Sequence, residues 1–191
     1  MEFGVFIACI LIGVTVLGVL AVSIMGIYLL VSSSFQKYAP PVRSSGKLKN
    51  AVLEDVAKQL QIASVGQQVV DLGSGWGTLL IPLAKRFPEH KFVGIERAFT
   101  PFYVSLFRAR KLPNLTFVRK DFFEYDLRKT DIVMMFLIGF MMPKVTKKCL
   151  KELPKGAKVY ASRFALTDIK ADREVNLGDN MSVYFVYEIK S

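Results

Sequence analysis

From Phe3 to Gln36 the chain carries no Asp, Glu, Lys or Arg, an uncharged run of 34 residues. That run constrains the fold more than any other feature, because it divides one chain between two solvents. A bilayer core needs about 20 apolar residues in helical form. The stretch FGVFIACILIGVTVLGVLAVSIMGIYLLV exceeds this with room for tilt. A cleaved signal peptide is the competing reading, but it calls for a basic leading segment and a shorter apolar core. Here the only charge ahead of the run is Glu2. A retained transmembrane helix is therefore expected within residues 1–36, followed by a strap and helix over 37–66 and a folded domain over 67–191.

Lys37, Arg43, Lys47 and Lys49 follow the run and no Lys or Arg precedes it. The positive-inside rule then predicts a single-pass membrane protein with its domain on the cytoplasmic side. Residues 37–191 hold all 26 Lys and Arg and all but Glu2 of the 16 acids, a net of +11. Such a balance beside a membrane favours anionic headgroups. The basic residues are dispersed rather than gathered in one arginine-rich run, which disfavours nucleic acid. Cys9 lies in the apolar run and Cys149 in a predicted helix, so a disulfide is not expected. With two Cys and one His (His90, in a turn PEHK that reads as exposed), neither is a protein metal site.

After the run, SSSFQKYAPPVRSSGK reads as an irregular strap, since Pro40 and Pro41 bar a helix. Leu48, Val52, Val56 and Leu60 then form one helical stripe over 47–61. From residue 67 strand and helix alternate. Strands are predicted at 68–72, 91–96, 115–120 and 131–139, a fifth within LPKGAKVYASRF, and a last one at 181–189. Leu79, Leu80, Leu83, Ala84 and Phe87 share a helical face, which Pro82 kinks or starts late. A helix capped by Thr100 with Pro101 at its first position runs to about Lys111. Val145, Cys149, Leu150 and Leu153 give another stripe after Pro143. Alternation of this kind predicts a doubly wound α/β sheet.

The first strand runs into VVDLGSGWG, with glycines at 73, 75 and 77. Glycines at the carboxyl end of a strand let backbone approach a ligand. The spacing is not the G-x-G-x-x-G of dinucleotide sites, and Gly77 is followed by Thr78 rather than the Lys of a P-loop. Carboxylates recur at successive strand ends: Asp71, Glu96 and Asp121, each 25 residues from the last. Glu96 is placed to accept from ribose hydroxyls. Asp121 is placed to meet an adenine amino group, with Phe122 beside the ring. Each acid alone reads as a solvated strand end; three beside one glycine turn predict a nucleoside ligand.

VVDLGSGWG, FVGIE and VRKDFF resemble the first three motifs of class I S-adenosylmethionine (AdoMet) dependent methyltransferases over about residues 66–163. The resemblance implies a Rossmann-like sheet, mostly parallel with its last strand antiparallel, and AdoMet as cofactor. It assigns Asp71, Gly73, Ser74, Gly75, Gly77, Glu96, Asp121 and Phe122 to the cofactor site. YAPPVRSS, VGIER, KDFFEYDL and above all MMFLIGFMMPKVTKKCLKELPKGAKVYASRF look like the small membrane-associated protein-lysine methyltransferases, whose mitochondrial members modify ATP synthase subunit c and the adenine nucleotide translocase. The chain departs from that pattern at Trp76-Gly77-Thr78, where Asp-Gly-Arg is expected. The resemblance implies a protein partner at or near the membrane that presents a lysine.

A lysine nucleophile must be neutral, and a partly apolar pocket depresses its pKa without a dedicated base. Phe136, Phe140 and Tyr103, with Leu137, are the candidate walls, although plain core packing is the favoured reading of Phe136 and Leu137 taken individually. FLIGF stands where methyltransferases of adenine N6 or glutamine amides carry an Asn/Asp-Pro-Pro motif, so that class is disfavoured. A lipid or quinone acceptor and a non-catalytic AdoMet-binding protein remain as alternatives.

Overall fold

In β1 (Gln68–Leu72) alternate side chains enter opposite cores: Val69 packs on one face of the sheet, Val70 and Leu72 on the other. Strand β4 (Ile132–Met135) does the same, with Ile132 and Met134 against Val133 and Met135. A strand apolar on both faces must be covered on both faces. In this computed structural model, which describes residues 2–35, 46–178 and 181–190, that is how the sheet is built.

The other strands are β2 (Lys91–Ile95), β3 (Leu115–Val118), β5 (Lys158–Ser162), β6 (Arg173–Asn176) and β7 (Val183–Glu188). They form one seven-stranded sheet in the order β3-β2-β1-β4-β5-β7-β6. The first five run parallel, and β7 lies antiparallel to both β5 and β6. The sequence predicts this sheet apart from β6, whose residues REVN alternate weakly and lie mostly exposed at the edge. A short, charged edge strand resists pairing with other chains.

Helix α1 (Glu2–Phe35) precedes the sheet, and α2 (Gly46–Ile62), α3 (Leu80–Arg86), α4 (Phe99–Ala109) and α5 (Met142–Glu152) accompany it. One face carries α2, α3 and α4: Leu48, Val52, Val56 and Leu60 pack with Leu80, Leu83, Phe92 and Ala109. The other carries α5, through Val145 and Cys149 against Val159 and Tyr187. Asp55 of α2 is bonded to Arg173 Nη2 at 2.5 Å and to the Tyr184 hydroxyl at 2.8 Å, which ties α2 to the antiparallel edge.

The chain divides into two compact units, Met1–Pro40 and Pro41–Ser191. In the first, α1 is one uninterrupted helix. Its segment Ile10–Tyr28 has a mean hydropathy of 2.6 and is long and apolar enough to cross a bilayer.

Several boundaries differ from expectation. Helix α1 continues through Ser32–Phe35 and α2 starts at Gly46, so the expected strap is shorter at both ends; residues 36–45, with Lys37, Arg43 and the Pro40-Pro41 pair, lie outside the described residues. Helix α4 begins at Phe99 behind an extended Ala98 with no side-chain cap, so Thr100 is inside the helix rather than its cap. Strand β4 stops at Met135 instead of running to residue 139, and Gly139–Met141 form a 3-10 turn. Strand β3 likewise ends at Val118 rather than residue 120. Leu150 is exposed, and α5 buries Thr146 and the stem of Lys148 instead. His90 is buried, not exposed: the turn folds its ring against Phe87 at 6.0 Å. Pro82 does act as expected, sitting in the first turn of a helix that starts only at Leu80.

Candidate active site

Strands β1, β2 and β3 are added outward in one direction, and the chain then returns to lay β4 on the other side of β1. The carboxyl ends of β1 and β4 therefore flank the point where the winding reverses, the usual ligand crevice of an open α/β sheet. The glycine turn rises from β1 at that point, and Phe136–Ile138 leaves β4 beside it.

The turn is held by backbone. Gly73 and Ser74 N–H both donate to the Ile95 carbonyl at 2.9 Å, and Gly77 N–H donates to the Ser74 carbonyl at 3.0 Å. Its three glycines have left-handed φ of +80°, +53° and +70° and do different work. A Cβ on Gly77 would stand 2.7 Å from the Phe117 ring and 3.3 Å from Ser105 Cβ, so this glycine serves packing against β3 and α4. A Cβ on Gly75 would meet nothing within 4 Å, which leaves open space over the middle of the turn. Gly73 lies under Leu137, whose side chain a Cβ would reach at 3.4 Å.

The three acids are brought to this end of the sheet in unlike states. Asp71 is 3% exposed, and burial, followed by the nearby Glu96 carboxylate, pushes its pKa up to about 7. Glu96, just past β2, accepts from Gly75 N–H through Oε2 at 2.8 Å and from Ala98 N–H through Oε1 at 2.7 Å. Asp121, past β3, caps the short 3-10 turn Phe122–Glu124: Oδ1 accepts from Phe123 N–H at 3.0 Å and Oδ2 lies 3.4 Å from Arg97. Phe122 is half-buried, its ring 4.5 Å from that of Phe123. Ser74 is buried and its hydroxyl has no partner among the described residues. An orphaned buried hydroxyl, a carboxyl strained toward its neutral form and open space above Gly75 fit a cationic ligand with its own donors.

The expected walls separate into two places. Phe136 is half-buried after β4, and Phe140 is 76% exposed on the 3-10 turn Gly139–Met141. Leu137 is buried, in keeping with plain packing. Tyr103 stands apart on α4, its ring 4.4 Å from Phe99 and 5.1 Å from Phe102. Trp76 is half-exposed in the glycine turn, and its carbonyl accepts from Arg108 Nη1 at 2.6 Å.

Three contributors escape a reading of the sequence. Gly94 in β2 faces the turn so closely that a Cβ there would lie 2.4 Å from Phe117 and 2.7 Å from Ser74 Oγ. A lone glycine inside a strand is the available signal of such an approach. Phe164 covers Gly139, whose Cβ would touch its ring at 3.2 Å. Ser162 closes β5 one step beyond the Met135–Ala161 pair, buried and without a hydroxyl partner among the described residues. Nothing in spacing distinguishes these two.

Comparison with known proteins agrees with this geometry. Residues 71–173 match the family described as the ANTKMT methyltransferase domain. A protein-lysine N-methyltransferase of Saccharolobus islandicus is 30% identical over 137 residues, 69% of this chain and 85% of that protein. A carboxy-S-adenosyl-L-methionine synthase of Nautilia profundicola is 32% identical over 88 residues, 45% of this chain and 38% of that protein. Among solved structures, an RNA methyltransferase from Salinibacter ruber in complex with S-adenosyl-L-homocysteine shares the fold with a TM-score of 0.65 at 24% identity, covering 78% of this chain and 95% of its own. TYW2 from M. jannaschii in complex with AdoMet superposes with a TM-score of 0.51 at 21% identity, covering 63% of this chain and 55% of its own. The chain belongs to the ANTKMT methyltransferase domain family and is a class I methyltransferase that uses S-adenosylmethionine.

Proposed function

We propose that this enzyme is a membrane-tethered protein-lysine methyltransferase that modifies a membrane protein or one beside the bilayer. The observation that carries the reading is the lysine methyltransferase of Saccharolobus islandicus, similar over 85% of its length. The apolar helix α1 supports the tether, and the Lys and Arg that follow it support a domain on the cytoplasmic side. Residues 1–36 are then anchor, 37–66 strap and helix, and 67–191 catalytic domain.

AdoMet supplies the electrophilic methyl group; the chain supplies position and desolvation. Asp71, once ionised, balances the positive methionine end. Gly73, Ser74 and Gly75 line the turn beside it, Gly77 sets its packing, and Ser74 offers its free hydroxyl. Glu96 keeps lone pairs for ribose hydroxyls, and Asp121 with Phe122 holds the adenine. The acceptor enters between Phe136, Phe140 and Phe164. From Ile132 to Pro143 no side chain is ionisable, so this wall disfavours a charged ammonium and favours the neutral amine that attacks.

Incubation of membranes with radiolabelled AdoMet tests the reading. Label is expected in protein and, after hydrolysis, in methylated lysine. Label in an organic extract would instead assign a lipid or quinone acceptor, and binding without transfer would remove catalysis.

A further inference from the structure

Helix α4 turns Ser105 and Ala109 to the sheet, with Phe102 partly buried against the same core, and most of its other large apolar residues face solvent. Phe99 is 49% exposed, Tyr103 47%, Leu106 44% and Phe107 66%. These positions, spaced i, i+4, i+7 and i+8, form one stripe. Scattered exposed apolar residues are ordinary, but a contiguous aromatic stripe on a helix marks a surface that something covers.

The charges around the stripe say what covers it. From Arg97 to Lys120 the chain has six basic residues (97, 108, 110, 111, 119 and 120) and no acid, and all six are exposed. Two guanidinium groups lie against the aromatics: Arg110 is 4.1 Å from the Phe107 ring centroid and Arg119 is 5.2 Å from that of Phe99. Aromatic bodies flanked by cations suit the headgroup layer of an anionic bilayer, where rings sit at the acyl boundary and Lys and Arg meet phosphates.

We propose that the outer face of α4 docks onto an anionic membrane surface, with Phe99, Leu106 and Phe107 entering the headgroup layer and Arg110, Lys111 and Arg119 meeting lipid anions. The inference rests on the tethered reading above. Only ten residues separate α1 from α2, so a bilayer that holds α1 keeps the domain near its surface.

The test uses the full chain in vesicles of phosphatidylcholine, with or without phosphatidylserine. Nitroxide labels are placed at Phe107→Cys, Leu106→Cys or, as a control in the exposed turn before β5, Lys155→Cys, in a Cys9→Ala background that keeps the buried Cys149. AdoMet binding by each variant checks its fold. The ratio of oxygen to nickel-complex accessibility is expected to rise several-fold at 107 and 106 over 155 with phosphatidylserine present. Arg110→Glu with Lys111→Glu should cancel the rise. Equal ratios at all three positions in a chain that resists carbonate extraction would overturn the docking face and leave the tether standing. Release of the chain by carbonate would overturn the tether and this inference with it. Protection of 107 by transfer RNA without vesicles, or by raising protein concentration in detergent, would assign the face to RNA or to a second copy instead.

Discussion

Glu96 holds the glycine turn by the backbone of Gly75: its Oε2 accepts that N–H at 2.8 Å while Oε1 accepts from Ala98 at 2.7 Å. The acid after β2 thus shapes the turn after β1. Hydrogen bonds to a charged group contribute about 1.5–3 kcal/mol each, so Glu96→Ala is expected to weaken AdoMet binding roughly tenfold to a hundredfold. Calorimetric titration measures the affinity. Hydrogen exchange should show faster loss of the Gly75 amide in the same variant; an unchanged amide would separate Glu96 from turn geometry.

The glycines are expected to fail in different ways. Gly94→Ala puts a methyl 2.4 Å from the Phe117 ring and should cost about 1–3 kcal/mol of stability, read from denaturant midpoints. Gly75→Ala has space, and only its φ of +53° opposes it, so about 1 kcal/mol is expected. Its cofactor affinity should fall all the same, because the methyl fills the open face of the turn.

With Asp71 in the proposed cofactor site, cofactor binding is expected to depend on pH. Its carboxyl is raised from 3.8 to about 7, so the folded protein retains a proton that the unfolded chain releases. The stability this group lends is complete below the unfolded pKa and is lost as pH rises through about 7. Asp71→Asn should therefore stabilise the cofactor-free protein at alkaline pH, by on the order of a few kcal/mol. A cationic ligand favours the ionised carboxyl, so AdoMet affinity should increase as pH rises toward and past 7, with proton release. Titration in buffers of different ionisation enthalpy counts that proton. Asp71→Asn should bind weakly and without the pH slope.

Lys148 is buried, and Glu152 neutralises it at 2.7 Å while Lys148 Nζ also donates to the Phe123 carbonyl at 3.2 Å. Glu152 accepts in addition from Leu127 N–H at 3.2 Å. Glu152→Ala leaves a buried cation unpaired and is expected to cost about 3–5 kcal/mol. Thermal unfolding should show the loss. Glu152→Ala with Lys148→Met should recover most of it.

The sheet was legible in the sequence because its strands are apolar on both faces and its acids recur at their ends. The edge strand β6 was not, since a solvated ribbon of REVN owes its extended form to pairing with β7. His90 escaped because local composition reads as an exposed turn, whereas the ring is buried beside Phe87. At the candidate site, the spacing of Asp71, Glu96 and Asp121 marked one end of the sheet, the carboxyl ends of β1, β2 and β3. It carried no trace of Gly94, whose role depends on Phe117 and Ser74 arriving from other strands. Nor did it separate Gly77, a packing residue, from Gly75, an open one. Helix α4 carried its stripe in plain view, but periodicity alone does not say which side of a helix meets the core.

Arg108 spans from α4 to the Trp76 carbonyl in the glycine turn, and Gly77 meets Ser105 of the same helix. The glycine turn and the aromatic face are therefore joined through one helix, and a ligand at either is expected to bias the other. Whatever factor surface binding applies to cofactor affinity, the cofactor must apply to surface binding in return. On the proposal that this face docks to lipid, the docking equilibrium of the anchored enzyme would differ between the donor and its demethylated product by the factor that separates their affinities in the docked and undocked states.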